Sequence, residues 1–522
     1  MPFVYQTRNG IEYATFYGKS VRKGKSVTKD FQRYLGRVID KKSHVFCSRK
    51  DGIYVFDEKT QSVLPASPKY TSELESDGRK KEKLVLDFGD SYFLCQLLEK
   101  MQYKKVIDSV DYGNSDTMNA MVLFYTMTEY ACSHAQAWYE GNFAKVLYPK
   151  ANLTSQRLSD FIYMLGDEYR QRQYFQNHIE WLHETVCKDN AIIVDSTGLP
   201  NSIDTYLTGI SNHNGKISRE IRMTSAVQRD SGYPLLYRLT PGNIIDTSTL
   251  TRTIMTLEEY DVKSDMALLD AGYYSNSNVD QLCKSGIDFV SRLPERNTNL
   301  YDEILLKCMP DLRRPENLVS YNERSIYIKS TDVKIGSEGK YEATAYLGLD
   351  TGRMTDEIHN AQKNMKKKYS AKEMHDIIEN AGLFIIISTL PFRDEEILPV
   401  YYIRQLVEQY FDVGKGISRL TPLRVHSKES ILGHLMLSQI ASVINLYIQK
   451  KMIVKAENRE DILIALRNQK CIVYKNRIIT TEPQSNANLF YDKFNIECPC
   501  AFKKNGSVLT PQNNLELRHS YV

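Results

Sequence analysis

Four residues at the spacing Tyr401-x2-Arg404-x3-Glu408-x6-Lys415 stand out in this chain. In a helix, steps of three, four and seven residues return to one face. That face presents a phenol, two cations and a carboxylate. On a solvated helix an Arg–Glu pair is worth only ~0.3–0.5 kcal/mol, and Arg before Glu is the poorer order. The residues between are largely apolar (Ile403, Leu406, Val407, Tyr410, Phe411), so a packed amphipathic helix is expected over 399–415. Two further carboxylates, Asp195 and Asp270, each close a short apolar run, Ala191-Ile-Ile-Val and Met266-Ala-Leu-Leu. A strand-end Asp often does no more than cap the next turn, but strand ends in open sheets are also where sites collect. Three carboxylates from two strand ends and a facing helix suit a hard divalent cation such as Mg²⁺. Two such cations activate the attacking oxygen and stabilise the leaving oxygen in transfer at a phosphodiester. Arg404 and Lys415 beside them supply charge-assisted contacts to phosphate.

The elements around these residues read as a mixed α/β sheet with hairpins first and crossovers later. Strands are expected at 221–227 and 233–239 about a Gly232 turn, helices at 246–260 and 276–284, and a strand at 288–293. Residues 295–382 interrupt that order with strand-like runs at 325–328 and 341–347 and a Lys-rich helix at 356–380. The apolar strand pattern resumes at 384–387. Upstream, residues 1–66 read as short basic strands such as 12–17 and 53–56. The polar stretch 67–83 reads as a linker, and 84–190 as a helical region, a DNA-binding domain or a packing platform, with a capped amphipathic helix at 154–165. The remaining segments are 191–294 and 383–450, the two parts of one core, and a C-terminal region, 451–522, with a helix at 461–467 and a poorly ordered tail.

The pattern resembles the DDE transposases of bacterial insertion sequences, in particular the insertion-sequence-four class. That class carries a Y-x2-R-x3-E-x6-K helix, and Tyr401, Arg404, Glu408 and Lys415 match all four positions. Val194-Asp195-Ser196-Thr197 is similar to its first-Asp strand, and Leu268-Leu269-Asp270-Ala271-Gly272-Tyr273 to its second. Asp230-Ser231-Gly232-Tyr233-Pro234 and Pro241-Gly242-Asn243 with Asp246 resemble the hairpin and loop between them. His426-Ser427 and Gly433-His434 resemble the segment after the Glu helix. The resemblance covers residues 190–450. It implies a ribonuclease-H-like core interrupted by a β-rich insertion at 295–382. It further implies that Asp195, Asp270 and Glu408 are catalytic and bind two Mg²⁺, with Mn²⁺ able to substitute. Tyr401, Arg404 and Lys415 would contact DNA. The implied reaction nicks the element's ends and joins their 3′-OH groups to double-stranded target DNA, by direct phosphoryl transfer in a dimer on DNA. Family members can pass through a hairpin end with a flipped base stacked on an aromatic ring. Here both Trp residues, Trp138 and Trp181, lie outside the core, which leaves tyrosines of the insertion such as Tyr327.

Composition bounds the alternatives. With 522 residues, 42% hydrophobic and 25% charged, the chain is globular and too long for one ordinary domain. The net charge of +4 says little, but the first 60 residues hold 13 Lys/Arg against 6 Asp/Glu. No uninterrupted apolar run approaches the ~18–20 residues of a membrane span, and Met1–Gly10 has no secretory h-region. A cytoplasmic protein on the bacterial nucleoid, with no membrane partner, is expected. Nine scattered cysteines without a C-x-x-C point to reduced thiols rather than a zinc site. No phosphate-binding G-x-x-x-x-G-K-[ST] loop occurs, so no nucleotide cofactor is expected. Ser196 lacks a G-x-S-x-G frame. His213, His426 and His434 are poor partners for hard Mg²⁺ and read as structural or DNA-contacting. The competing readings are an inactive or repurposed sequence-specific DNA-binding protein, which the three intact carboxylates disfavour, and a nuclease that cuts without joining.

Overall fold

A computed structural model of the chain describes residues 2–512 except 9, 24–25, 49–50, 68–69, 71–83, 111, 214–215, 296–297, 369–370, 422, 424, 453–458 and 507. Most of the expected linker and of the C-terminal tail therefore lies outside the described residues. The chain forms two compact units, residues 1–161 with 447–522, and residues 162–446.

The second unit is built on a ten-stranded mixed sheet. Its centre is Ala191–Pro200, Met266–Leu269 and Asp288–Arg292, joined in parallel, Ala191↔Met266 and Met266↔Asp288. Lys216–Gln228 runs antiparallel on the outer side of Ala191–Pro200, and Pro234–Pro241 and Gly209–His213 pair with it in turn. On the other side Leu383–Ser388 pairs antiparallel with Asp288–Arg292, followed by Tyr341–Asp350, Arg324–Ile335 and Leu318–Tyr321. The central strands read as unbroken apolar runs because they are buried: Ile192, Ile193, Val194, Ala267, Leu268, Val290 and Ile385–Ile387 are each at 0% exposure. Such runs mark strands covered on both faces.

Residues 295–382 differ from a separate β-rich insertion. Their three strands continue the same sheet, and the helices Thr298–Leu312, Thr351–Lys368 and Ala371–Asn380 hold more residues than those strands. The cause is the pairing of Tyr341–Asp350 with Leu383–Ser388 along the whole of the latter strand, which extends the core hydrogen-bond ladder into the segment. The unit also begins inside 84–190. Helix Glu168–Trp181 packs on strand Pro234–Pro241, with Phe175 edge-on to Tyr237 and the His178 ring on the Pro234 carbonyl at 2.7 Å.

In the first unit a six-stranded antiparallel sheet spans residues 3–65, with Ala14, Phe16, Leu35, Val38, Phe46, Tyr54 and Phe56 as its core. A second sheet pairs Leu84–Asp87 with Lys470–Val473 and continues through Arg477–Thr480, Ala501–Asn505 and Val508–Gln512. Its strands thus come from both ends of the chain.

Among the described residues one helix, Lys428–Lys451, is long and apolar enough by composition to cross a membrane, although its sequence holds no unbroken apolar run of that length. Ser438, Gln439, Ser442 and Asn445 interrupt it, yet they are buried, and 89% of its apolar window lies inside the protein. Burial in a core accounts for that composition.

Candidate active site

The parallel ladder sets the first two carboxylates. Val194 pairs with Leu269, so Asp195 and Asp270 are the next residues on adjacent strands. Asp195 is not a strand terminus: Ala191–Pro200 runs on because Lys216–Gln228 pairs with it as far as Pro200↔Glu220. Asp270 does end its strand. Its carbonyl accepts from Tyr273 N at 3.0 Å and starts the 3₁₀ turn Ala271–Tyr273.

Glu408 comes from above the sheet. The expected single helix over 399–415 is two helices, Ile397–Tyr402 and Gln405–Gly416. Between them the bonds shorten to three-residue steps, Arg404 N to Tyr401 O at 3.2 Å and Val407 N to Arg404 O at 3.1 Å. Such steps wind tighter than an α-helix, and the break falls at Arg404, whose side chain reaches Asp195. The second helix buries Val407, Tyr410, Phe411 and Val413 and packs on strands Ala191–Pro200 and Lys216–Gln228. Gly232, at φ 63°, brings its turn against Leu406. A Cβ there would lie 3.1 Å from a Leu406 methyl, so the backbone conformation and the close approach both favour glycine.

The three acids meet on Arg404. Its Nη1 lies 3.0 Å from Asp195 Oδ2, and its Nη2 lies 2.8 Å from Glu408 Oε1 and 3.9 Å from Asp270 Oδ1. The Tyr401 hydroxyl sits 3.5 Å from Asp270 Oδ1, and its ring lies 5.8 Å from the guanidinium carbon. Lys415 does not join this cluster: it is exposed on the last turn, and Glu220 is the acid that acts most strongly on it. Burial pushes the Asp195 carboxyl up to about 6, against the opposing pull of Arg404.

A second network was not foreseen from the sequence. Ser196 Oγ donates to Asp246 Oδ1 at 2.6 Å, and Arg222 clamps the same carboxylate through Nε and Nη2, both at 2.8 Å. Asp246 also rests against the turn after Asp270, where a Gly272 Cβ would lie 3.2 Å from Asp246 Oδ2. The bidentate pair therefore ties the residue after Asp195 to the turn after Asp270. Asp246 had a place in the loop pattern. Arg222 gave no signal beyond a charge between two apolar residues, Ile221 and Met223, all three now buried.

His434 is buried and pushed down to about 4 by that burial, so its ring is neutral. The His213 side chain lies outside the described residues.

The donors facing Arg404 are all carboxylate oxygens, the type hard divalent cations take. They contribute three negative charges against one positive. The guanidinium already sits as a cation among them, so the donor set fits divalent metal. As placed, each acid faces Arg404, and among the described residues no three His, Cys, Asp or Glu side chains close on one point.

Residues 187–444 match the family described as "Transposase DDE domain". The match contains Asp195, Asp270 and Glu408. The large mixed sheet is consistent with a ribonuclease-H-like core. No curated protein matches the chain. Among solved structures, a piggyBac transposase synaptic complex with hairpin DNA is similar at 10% identity and a TM-score of 0.40, over 74% of this chain and 82% of that one.

Proposed function

We propose that this chain is an active DNA transposase of the insertion-sequence-four class, from a bacterial element. It would cut the ends of its element and join the freed 3′-OH groups to target DNA. The observation that carries the reading is the convergence of Asp195, Asp270 and Glu408 on one guanidinium within the stretch that matches the transposase DDE domain family.

In this reading Asp195, Asp270 and Glu408 hold two divalent cations, Mg²⁺ or Mn²⁺. When bound, these supply Lewis-acid activation of the attacking oxygen and charge stabilisation of the leaving oxygen. The protein's own groups do the rest. The sheet register fixes Asp195 beside Asp270, and the Asp246–Arg222 clamp steadies the backbone after each. Arg404 forks onto a DNA phosphate, whose two oxygens suit the planar guanidinium. Lys415, exposed at the far end of the helix, meets a neighbouring phosphate as a point charge. The Tyr401 ring supports the Arg404 plane. Water attacks first and the 3′-OH second, each directly at phosphorus, with no bond to the protein. Two ends must be processed together, so the working form is a dimer on double-stranded DNA, on the chromosome in the cytoplasm.

Strand transfer tests the reading. A labelled duplex bearing the element's end is incubated with the protein, Mg²⁺ and a target plasmid. The reading predicts label covalently joined to plasmid through the 3′ end. Cleavage without joining would make the protein a nuclease instead, and specific binding without cleavage would make it an inactive DNA-binding protein.

A further inference from the structure

We propose that Arg404 is an internal counter-cation, holding Asp195, Asp270 and Glu408 until a DNA phosphate draws it away and divalent cations take its place. The inference rests on the two-metal reading above and adds a regulation to it: metal loading and DNA binding are coupled through one side chain.

The contrast with Arg222 carries the argument. Arg222 gives two hydrogen bonds to one carboxylate, Asp246, and its side chain is 5% exposed. That is a locked pair. Arg404 divides itself among three carboxylates with one short contact each to Asp195 and Glu408 and a long one to Asp270, and its side chain is 18% exposed. No contact is bidentate, so each is the weaker kind of guanidinium–carboxylate bond. Asp270 and Glu408 are also far more open, with side chains 43% and 49% exposed. Water and ions therefore reach Asp270, which Arg404 holds most loosely at 3.9 Å, and Glu408, which it holds at 2.8 Å.

The same oxygens cannot be given fully to both a guanidinium and a divalent cation. Removing Arg404 therefore removes a competitor, and the metal-free site gains affinity. DNA has the opposite handle on the same group, since a phosphate offers the guanidinium two oxygens in the fork geometry that it lacks among the acids. Drawing Arg404 onto phosphate frees the carboxylates. By linkage, DNA must raise metal affinity by the factor with which metal raises DNA affinity. An enzyme so built stays poorly loaded, and so poorly able to cut, until DNA is seated.

The test measures Mn²⁺ binding to the full chain by the electron paramagnetic resonance of the free ion, a readout independent of cleavage. Without DNA, Arg404→Gln is expected to bind Mn²⁺ about tenfold more tightly than the parent, inside the ~5–150-fold range of ordinary coupling. Adding Asp270→Asn to that variant should abolish the gain. A short random-sequence duplex should tighten Mn²⁺ binding by the parent at least ~5-fold and leave Arg404→Gln unchanged. Arg404→Lys, which keeps the charge but not the fork, should fall between and serves if the Gln variant does not fold. Equal or weaker Mn²⁺ binding by both variants overturns the inference. If Glu408→Gln still abolishes cleavage in that case, the proposed function stands without it. If no protein binds Mn²⁺ and the acid variants still cut, both fall.

Discussion

Arg37 and Arg404 are both sunk into the protein and are held in opposite ways. Arg37, in the first unit, is at 0% exposure. Its Nη1 donates to Thr480 O at 3.3 Å, Thr480 Oγ1 at 2.6 Å and Pro499 O at 3.3 Å, and its Nη2 to Thr481 O at 2.8 Å. All those acceptors are neutral, and they belong to the C-terminal segment, so Arg37 stitches the first sheet to that segment. Arg404 faces three carboxylates within 4 Å and so sits in a surplus of negative charge. A buried cation among neutral acceptors is held by hydrogen-bond geometry, here with Arg37 Nε left without an acceptor among the described residues. A cation outnumbered three to one leaves a field that attracts further cations. The first arrangement builds a fold, and the second builds a site.

That contrast can be broken in several places. The largest effect is expected from Arg37→Met, which removes the guanidinium donor from the Thr480 carbonyl and hydroxyl and leaves the Thr481 carbonyl with Gln469. It should cost about 3–5 kcal/mol of unfolding free energy, read by chemical denaturation. A loss under about 1 kcal/mol would mean that Arg37 is no clamp. Next is Asp195. Folded, its carboxyl titrates at about 6, above the ~3.9 of an unfolded Asp. Between those values the native state binds more protons, so the metal-free protein should lose stability as pH rises through this window. Asp195→Asn removes that loss. It should be more stable than the parent by about 1–3 kcal/mol above pH ~6, and equal to it below pH ~4. Denaturation curves for the two proteins that run parallel across the window would contradict this. The smallest effect is expected at Tyr401, whose hydroxyl stands a long 3.5 Å from Asp270. Tyr401→Phe keeps the ring beside Arg404, so cleavage should drop only about threefold, the worth of one weak hydrogen bond. A drop as deep as that of an acid variant would move the hydroxyl into the chemistry.

What the sequence displayed and what it hid follow physical lines. The central strands were legible because Ile192–Val194, Ala267–Leu268 and Ile385–Ile387 are local apolar runs, and runs are set by burial on both faces. The Tyr401, Arg404 and Glu408 side chains were legible as one group because their spacing survives the break between the two helices. The break itself was not: it falls at Arg404, whose partner Asp195 lies some two hundred residues earlier. The Ser196–Asp246–Arg222 network stayed hidden for the same reason: its partners are distant in sequence, and Arg222 lies on a strand buried on both sides. The pairing of Leu84–Asp87 with Lys470–Val473 joins two short segments at opposite ends of the chain, which no periodicity reports. In Lys428–Lys451 buried polar residues with partners of their own disguised a core helix. Ser438 Oγ bonds the Ser418 carbonyl at 2.6 Å, and Asn445 bonds the Ser418 hydroxyl at 3.1 Å.

The central claim is that the three acids around Arg404 are the chemical centre of a DNA-cutting enzyme. Its most direct test is cleavage of a duplex bearing the element's end, in Mg²⁺, by the parent and by Asp195→Asn, Asp270→Asn and Glu408→Gln separately. The account predicts that each variant loses about a thousandfold or more in cleavage rate, the scale of one transition-state charge contact, while it still binds the duplex. Cleavage at the parent rate by any one of the three would contradict it.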